Sequence, residues 1–346
     1  MKQALHRLFN RLWYERGSAL LILLPLAWLT GWLVRRRRHQ FLHGEKSVYR
    51  APVPVIVVGN ISVGGTGKTP LVVWLVAELQ ARGYRPGIVS RGYGGKAPHY
   101  PYLLQPSDTA SVVGDEPLML FQRTGVPVVV DPHRPAAVQA LLEQTECDVV
   151  ISDDGLQHYA LGRSYEILVL DGSRGTGNGR LLPCGPLREP ASRLQQVNAV
   201  VINGDRTHHS FSQLPSGLHF RMDIVAGAFH SLADDVSVDG QRVQQTRPLV
   251  AIAAIGNPQR FFDTLSGKGI QCECHAFPDH HVYTGQDMAR FSSAHILTTE
   301  KDAVKLRTIP GVRGWYLPVE ARLQPGLIDD IILSLEHFSQ HHQHLY

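Results

Sequence analysis

Residues 53–70 constrain this chain more than any other stretch. The apolar run Val53–Val58 leads directly into Gly59-Asn60-Ile61-Ser62-Val63-Gly64-Gly65-Thr66-Gly67-Lys68-Thr69-Pro70. A buried strand that opens into a glycine-rich turn and then a helix is the context of a phosphate-binding loop. Glycines at 64, 65 and 67 let the backbone wrap an anion, the helix N-terminus supplies N–H groups, and Pro70 suits a first helical turn. Gly67-Lys68-Thr69 completes the pattern G-x-x-x-x-G-K-[ST], with Ser62 where the first glycine belongs. Ser62, Val63, Gly64, Gly65, Thr66, Gly67, Lys68 and Thr69 are therefore expected to hold a nucleotide. Lys68 would reach the β- and γ-phosphates and Thr69 would ligate Mg²⁺. A glycine-rich turn with an incidental lysine is the plainer alternative, and the strand before it argues against that.

Beyond this loop, short Val/Ile-rich runs alternate with helical patterns. Strands are expected at Gly87–Ser90, Val126–Val130, Asp148–Ser152, Glu166–Leu170 and Ala199–Ile202, with helices at Leu71–Ala81 and Arg134–Glu143. Near-continuous apolar strands with helical crossovers imply a parallel sheet covered on both faces, with functional loops at its carboxyl ends. Residues 214–247 break the pattern: His219–His230 reads as extended and no helix is evident. Alternation then resumes with strands at Leu249–Ile255, Ile270–Phe277, Ile296–Thr299 and Trp315–Val319. Helices are expected from Pro258 to about Ser266, near Gln286–Ser293 and over Leu327–Phe338. The fold class is α/β: a P-loop NTPase-type parallel-sheet domain plus a smaller α/β second lobe, facing it across a cleft. The expected boundaries are an N-terminal membrane-associated helical segment 1–40, a nucleotide-binding domain 41–213, an extended linker 214–247, the second lobe 248–338 and a polar tail 339–346.

The loops after the strands carry the remaining chemistry. Val149-Val150-Ile151-Ser152-Asp153-Asp154 is an apolar strand ending in two acids, as a Walker B strand should, so Asp153 and Asp154 are candidates for Mg²⁺; helix-capping aspartates are the alternative. Gly114-Asp115-Glu116-Pro117 places another acid pair before a helical pattern, where acids are common in any case. Arg91 follows the second strand, and Arg174, Arg180 and Arg188 lie in a long glycine-rich run after Asp171, suited to an anionic substrate or to plain solvation. Asp279-His280-His281 sets a carboxylate beside two histidines. Cys272, Cys274 and His275 upstream raise a metal site, but no second ligand pair stands at zinc spacing, and a His/Asp pair for proton transfer fits better. A GTP-type base-reading motif is lacking: Thr299-Glu300-Lys301-Asp302 has Glu where lysine is required, and Asp153-Asp154-Gly155 lacks the gap of a switch motif.

Charge separates the two ends of the molecule. Among 346 residues the net charge is +4, yet residues 1–50 carry +8 and the rest −4. The basic excess therefore sits beside the most apolar stretch, which argues for a membrane-facing end and against a nucleic-acid-binding body. Residues 2–16 have helical periodicity, with Leu5, Leu8, Phe9, Leu12 and Trp13 on one stripe. Gly17–Val34 then run 18 residues without a charge, interrupted by Pro25 and Gly31, up to Arg35–Arg38. As one helix this run would be about 27 Å long, short of a bilayer core of roughly 30 Å. A cleaved signal is disfavoured by the four arginines. A spanning helix leaves both flanks basic; a segment dipping into one leaflet satisfies both; a helix packed on the body is the third possibility. Four scattered cysteines fit a reducing compartment rather than a disulfide scaffold.

Taken together, the motifs Gly59–Pro70, Ser90–Gly94, Gly114–Pro117, Asp153–His158, Asn178–Pro190, Gly256–Pro258, Phe277–His280 and Thr298–Lys305 resemble the tetraacyldisaccharide 4′-kinases of lipid A biosynthesis over nearly the whole length. The resemblance implies ATP and Mg²⁺ as cofactors and transfer of the γ-phosphate to the 4′-hydroxyl of an acylated glucosamine disaccharide 1-phosphate, forming lipid IVA. It also implies action at the cytoplasmic face of the inner membrane, with the membrane surface and the lipid as partners and no nucleic acid or obligate protein partner. On that reading Asp115 takes the hydroxyl proton, His280 assists it from the second lobe with Asp279 orienting the ring, and lobe closure brings His280 to the P-loop. Lys68 and a Mg²⁺ held by Thr69, Glu116, Asp153 and Asp154 neutralise the phosphates, while Arg91, Arg174, Arg180 and Arg188 are weaker candidates for the substrate phosphate. A P-loop NTPase that drives a protein or metal-delivery partner is the competing class.

Overall fold

The computed structural model describes residues 12–14, 21–213 and 219–342. Most of the expected 2–16 helix, the start of the apolar run and the end of the tail lie outside them. The chain divides into two compact units and passes between them four times. The first holds Met1–Arg91, Val126–Ile224 and Ala321–Tyr346; the second holds Gly92–Gly125 and Val225–Glu320.

The first unit is built on strands β1 (Val55–Gly59), β2 (Pro86–Ser90), β3 (Val128–Val130), β4 (Val149–Asp153), β5 (Tyr165–Asp171), β6 (Ala199–Asn203) and β7 (His219–Ala226), in the order β7-β6-β5-β1-β4-β2-β3. Each neighbouring pair is parallel, with registers such as Val57↔Ser152 and Val58↔Ile167. The β-branched runs in β1 to β4 are buried throughout, as strands covered on both faces must be. The crossovers include helices α2 (Lys68–Ala81) and α4 (Arg134–Gln144), which bury Leu71, Leu75, Leu79, Val138 and Leu141.

The second unit carries β8 (Phe229–Ser231), β9 (Ser237–Val238), β10 (Leu249–Ala253), β11 (Glu273–Ala276), β12 (His295–Thr299) and β13 (Gly314–Leu317), ordered β9-β8-β13-β12-β10-β11. The last four strands are mutually parallel, while β8 pairs antiparallel with β13. Alternation along β10 feeds two cores. Leu249, Ala251 and Ala253 face Phe261 and Leu265 of α6 (Pro258–Gly267); Val250 and Ile252 face Phe277, Met288 of α7 (Gly285–Ala289) and Phe291.

Three expectations change here. Residues 214–247 are not one extended linker: β7 pairs with β6, β8 with β13, and a short helix α5 (Gly240–Gln245) forms behind the Asp239 cap. The segment 92–125 belongs with the second unit, because helix α3 (Asp115–Thr124) packs on helix α8 (Glu300–Leu306) through Glu116–Lys301, Asp115–Lys305 and Arg123–Glu300 ion pairs. The final helix, α9 (Leu327–His342), belongs with the first unit, where Asp330 accepts the Tyr165 hydroxyl and Leu327, Ile331 and Leu335 are buried.

At the N-terminal end, α1 (Leu24–Leu42) continues through Arg35–Arg38 instead of stopping at them. Pro25 does not interrupt this helix but occupies its first turn, where a missing N–H costs nothing. Gly31 is a close-packing position: a Cβ there would lie 2.7 Å from Leu181 Cδ1. Trp13, expected on the apolar stripe of the first helix, is buried and donates its indole N–H to Pro183 O at 3.0 Å. Among the described residues no helix is long and apolar enough to cross a membrane.

Candidate active site

The phosphate loop of the first unit is braced from both sides. Asn60 Nδ2 donates to Gly64 O at 3.3 Å and Thr66 Oγ1 at 3.4 Å, and Asn203, the last residue of β6, donates to Thr66 O at 3.1 Å. Ser62 forms an antiparallel bridge with Leu187, flanked by Val63 N to Pro186 O at 2.9 Å and Arg188 N to Ile61 O at 2.6 Å. Extended pairing of this kind needs no glycine, which accounts for serine at that place. Gly67 does need to be glycine: its φ is +95° and a Cβ would meet Asn203 Nδ2 at 2.8 Å and Ile224 Cδ1 at 2.9 Å. Helix α2 starts from it without a side-chain cap or an acid in its first turn, so its leading N–H groups suit an anion.

The two acids at the end of β4 differ. Asp153 is buried, with Ser90 Oγ at 3.3 Å from Oδ2 and the buried guanidinium of Arg134 on its carbonyl at 2.9 Å. Asp154 turns out in a left-handed conformation (φ 47°) to meet Lys68 Nζ at 3.4 Å and Arg188 Nη1 at 3.3 Å. Burial would raise the Asp154 pKa, but Lys68 and Arg188 together hold it below the usual range. Its Oδ1, the oxygen that Lys68 approaches, is buried and has no second protein partner among the described residues. Two consecutive carboxylates at the end of β4, one of them met by the P-loop lysine, and the Thr69 hydroxyl on the first turn of α2 are hard-oxygen donors. Mg²⁺ keeps most of its shell as water and phosphate and takes one or two carboxylates, so these residues fit it.

Of the expected metal ligands, Glu116 belongs to the second unit, where its Oε1 receives Lys301 Nζ at 2.8 Å. The arginines are also redistributed. Arg174 stacks on Tyr14 and reaches to 3.6 Å from the Cβ position of Gly64, so both it and Arg188, whose N–H meets Ile61 O, lie beside the phosphate loop. Arg91 is exposed at the end of β2, and Arg180 lies in the 178–188 loop, its N–H on Asn178 Oδ1.

The second unit gathers its own set at the carboxyl ends of adjacent parallel strands. After β11 the chain hooks onto the end of β10: Phe277 N donates to Ala253 O and His280 N to Ala254 O at 3.2 Å. His280 adopts a left-handed backbone (φ 57°), uncommon outside glycine and characteristic of functional positions. Its Nδ1–H donates to both Asp115 oxygens at 3.1 Å, which assigns the tautomer because a carboxylate only accepts. Asp115 sits in the first turn of α3, positioned by Gly114, whose φ of +92° and contact with Tyr93 O leave no room for a Cβ.

The orienting carboxylate is thus Asp115, not Asp279. Asp279 Oδ1 is 3.9 Å from Nε2 and half exposed, since the left-handed turn points the ring back into the unit. Burial would raise the Asp115 carboxyl, but the His280 hydrogen bond and the Lys301 and Lys305 ammoniums outweigh it and leave a pKa of about 2. The same hydrogen bond raises His280 above its ordinary 6.5, against burial and Lys301.

Sequence reasoning missed the two lysines. Lys301 and Lys305 lie one turn apart on α8; Lys301 Nζ is 3.3 Å from His280 Nε2, and Lys305 Nζ is 3.6 Å from Asp115 Oδ2. It also missed Tyr93, whose ring meets His280 edge-on at 5.2 Å, and the bracing Asn60 and Asn203. Thr299-x-x-Asp302 with lysines at 301 and 305 was the available signal, a helix cap followed by cations at i and i+4.

The model of the LpxK family, tetraacyldisaccharide-1-P 4′-kinase, matches residues 19–336. The tetraacyldisaccharide 4′-kinase of Aeromonas hydrophila is 47% identical over 330 residues, 95% of this chain and 96% of that protein. The enzyme of the same name from Pseudomonas putida is 47% identical over 318 residues, 91% of each. The crystal structure of LpxK from Aquifex aeolicus in complex with ATP superposes with a TM-score of 0.78 at 28% identity, covering 93% of this chain and 99% of that one. The phosphate loop and the Asp115–His280 pair thus stand in a chain that belongs to the tetraacyldisaccharide 4′-kinase family, the ATP-dependent kinases of lipid A biosynthesis.

Proposed function

We propose that this protein moves the γ-phosphate of ATP onto the 4′-hydroxyl of an acylated glucosamine disaccharide 1-phosphate, forming lipid IVA, at the cytoplasmic face of the inner membrane. The observation that carries this reading is the Asp115–His280 pair, both carboxylate oxygens 3.1 Å from Nδ1. A sugar hydroxyl is a weak nucleophile that must shed a proton, whereas an NTPase driving a partner needs no such acceptor. With Asp115 held near 2 and His280 raised, the hydroxyl proton comes to rest on the imidazole, and Asp115 stabilises the cation formed. Lys68, Arg188 and Arg174 hold the phosphates, and the N–H groups of α2 orient them. Mg²⁺ bound at Thr69, Asp153 and Asp154 would supply further charge neutralisation.

A lipid acceptor that stays in the bilayer fits the face of α1 and of the turn, residues 21–23, that leads into it. Ile22 is 86% exposed and Trp28 77%, with Leu24, Leu26, Leu29 and Leu33 also exposed, and Arg36 lies over the Trp32 ring. Exposed leucines and tryptophans beside a run of arginines are the composition of an interfacial helix that sits in one leaflet with its cations at the headgroups.

The test is phosphoryl transfer from γ-labelled ATP to detergent-dispersed tetraacyldisaccharide 1-phosphate with Mg²⁺, run beside Lys68→Ala. Label is expected at the 4′ position and lost with the lysine. A folded, ATP-binding protein that hydrolyses nucleotide without labelling the disaccharide would move the partner-driven NTPase to the front.

A further inference from the structure

Asp302 is a fully buried carboxylate that the proton-transfer chemistry does not use directly. One of its oxygens, Oδ2, accepts the Thr299 hydroxyl at 2.8 Å and the Ala254 N–H at 2.9 Å. The other, Oδ1, lies 2.8 Å from Lys305 Nζ, one helical turn along α8. The peptide flanking Ala254 leads to the first member of the dyad, because Ala254 O accepts the N–H of His280 at 3.2 Å. Lys305 leads to the second, its ammonium 3.6 Å from Asp115 Oδ2 and stacked over the Tyr283 ring at 5.2 Å. A single carboxylate is thereby connected to both halves of the pair that receives the proton, through the backbone on one side and a buried cation on the other.

We propose that Asp302 and Lys305 form a positioning device for the Asp115–His280 dyad, setting the Asp115 carboxylate and the left-handed His280 turn in register with each other. Neither touches a reacting atom. A buried ion pair adds little net stability over a neutral pair of similar volume, so stability alone gives no reason to keep both charges beside Asp115. Proton transfer gives one, since its rate depends on sub-ångström placement of donor and acceptor. The proposal rests on the kinase reading above and names the residues that make its site rigid.

Three variants of the full-length protein test it by transfer of labelled phosphate, with stability followed by urea unfolding. Lys305→Met is expected to lower kcat by at least about tenfold with KM for ATP within about twofold of wild type. The double variant Lys305→Met/Asp302→Asn removes both charges, so it leaves no unpaired buried carboxylate at 302, yet it still deprives Asp115 of the Lys305 cation; it is expected to stay slow. A double variant with wild-type kcat would show that Lys305 serves only to neutralise Asp302 and would overturn the proposal, as would an unchanged kcat in Lys305→Met. If neither lysine variant folds, Asp302→Asn decides: it keeps the lysine and loosens its seat, and a kcat equal to wild type overturns the idea while a drop of at least about threefold supports it. Absence of transfer by the wild-type protein is a different failure and removes the kinase reading itself.

Discussion

His280 combines a left-handed backbone, a raised pKa and a buried carboxylate partner, and each has a measurable consequence. His280→Ala is expected to cut kcat by about 10²-fold or more while leaving KM for ATP unchanged; a matching loss of ATP affinity would contradict its role. Because the imidazole must be neutral to accept a proton, kcat should rise with pH along a limb centred above 6.5, read from a kcat profile at saturating substrates. Stability moves by the same linkage. Asp115, lowered from 3.8 to about 2, contributes on the order of 2 kcal/mol that is present above pH 4 and fades as pH falls toward its folded value. The His280 share runs the other way: present below 6.5, lost as pH rises through the raised value. Urea unfolding of Asp115→Asn against wild type should therefore show a gap at pH 7 that narrows at pH 3. At the phosphate loop, Gly67→Ala adds a Cβ against Asn203 and Ile224 at a φ that costs an L-residue about 1–2 kcal/mol, so KM for ATP should rise by about tenfold or more.

Helix α8 shows how one short element serves several ends. Thr299 caps it, accepting the Asp302 N–H at 3.2 Å and donating to the same residue's carboxylate. Its seven residues then present Lys301 and Lys305 to α3 and Glu300 to Arg123. Thr299→Ala should lower the unfolding free energy by about 1–2 kcal/mol through the lost cap, measured by denaturant titration. Helix α1 poses the converse case, an element with most of its large apolar side chains turned outward. Ile22→Glu/Trp28→Glu should weaken co-sedimentation with anionic vesicles by at least about tenfold, since burying each large apolar side chain is worth about 1.5–3 kcal/mol. Turnover of a short-chain, detergent-free substrate should stay at the wild-type level, and a fall there would mean that α1 does more than meet the lipid.

Over the whole molecule, the chain's four passages between units make the second unit depend on a distant insertion. Residues 225–320 expressed alone leave Glu300, Lys301 and Lys305 without their α3 partners, so that fragment should unfold with weak cooperativity in urea. Adding 92–125 through a flexible linker should restore a single transition. This dependence also explains what was legible beforehand. The parallel strands, the phosphate loop and the acid pair after β4 could be read directly, because apolar continuity, glycine spacing and a strand-end carboxylate are local signals. The seven residues of α8 follow β12 without a break and are too short for helical periodicity to register, so the element and its lysines went unseen. The grouping of 92–125 failed for a related reason: nothing local says on which unit a helix will lie.

By itself, then, the sequence determined the strand–glycine loop–helix that takes the phosphates, the parallel α/β architecture and the candidacy of Asp115 and His280. Only the tertiary structure decided that Asp115, 165 residues from His280, orients its ring in place of the adjacent Asp279, and that Glu116 answers to Lys301 across 185 residues. It also decided that Asp302 takes the Ala254 N–H on one oxygen and Lys305 on the other. The physical reason is that apolar patterning and turn chemistry act over a few residues, whereas charge pairing in a buried site depends on which chain segments are brought within about 4 Å, and that is set by the path of the whole chain.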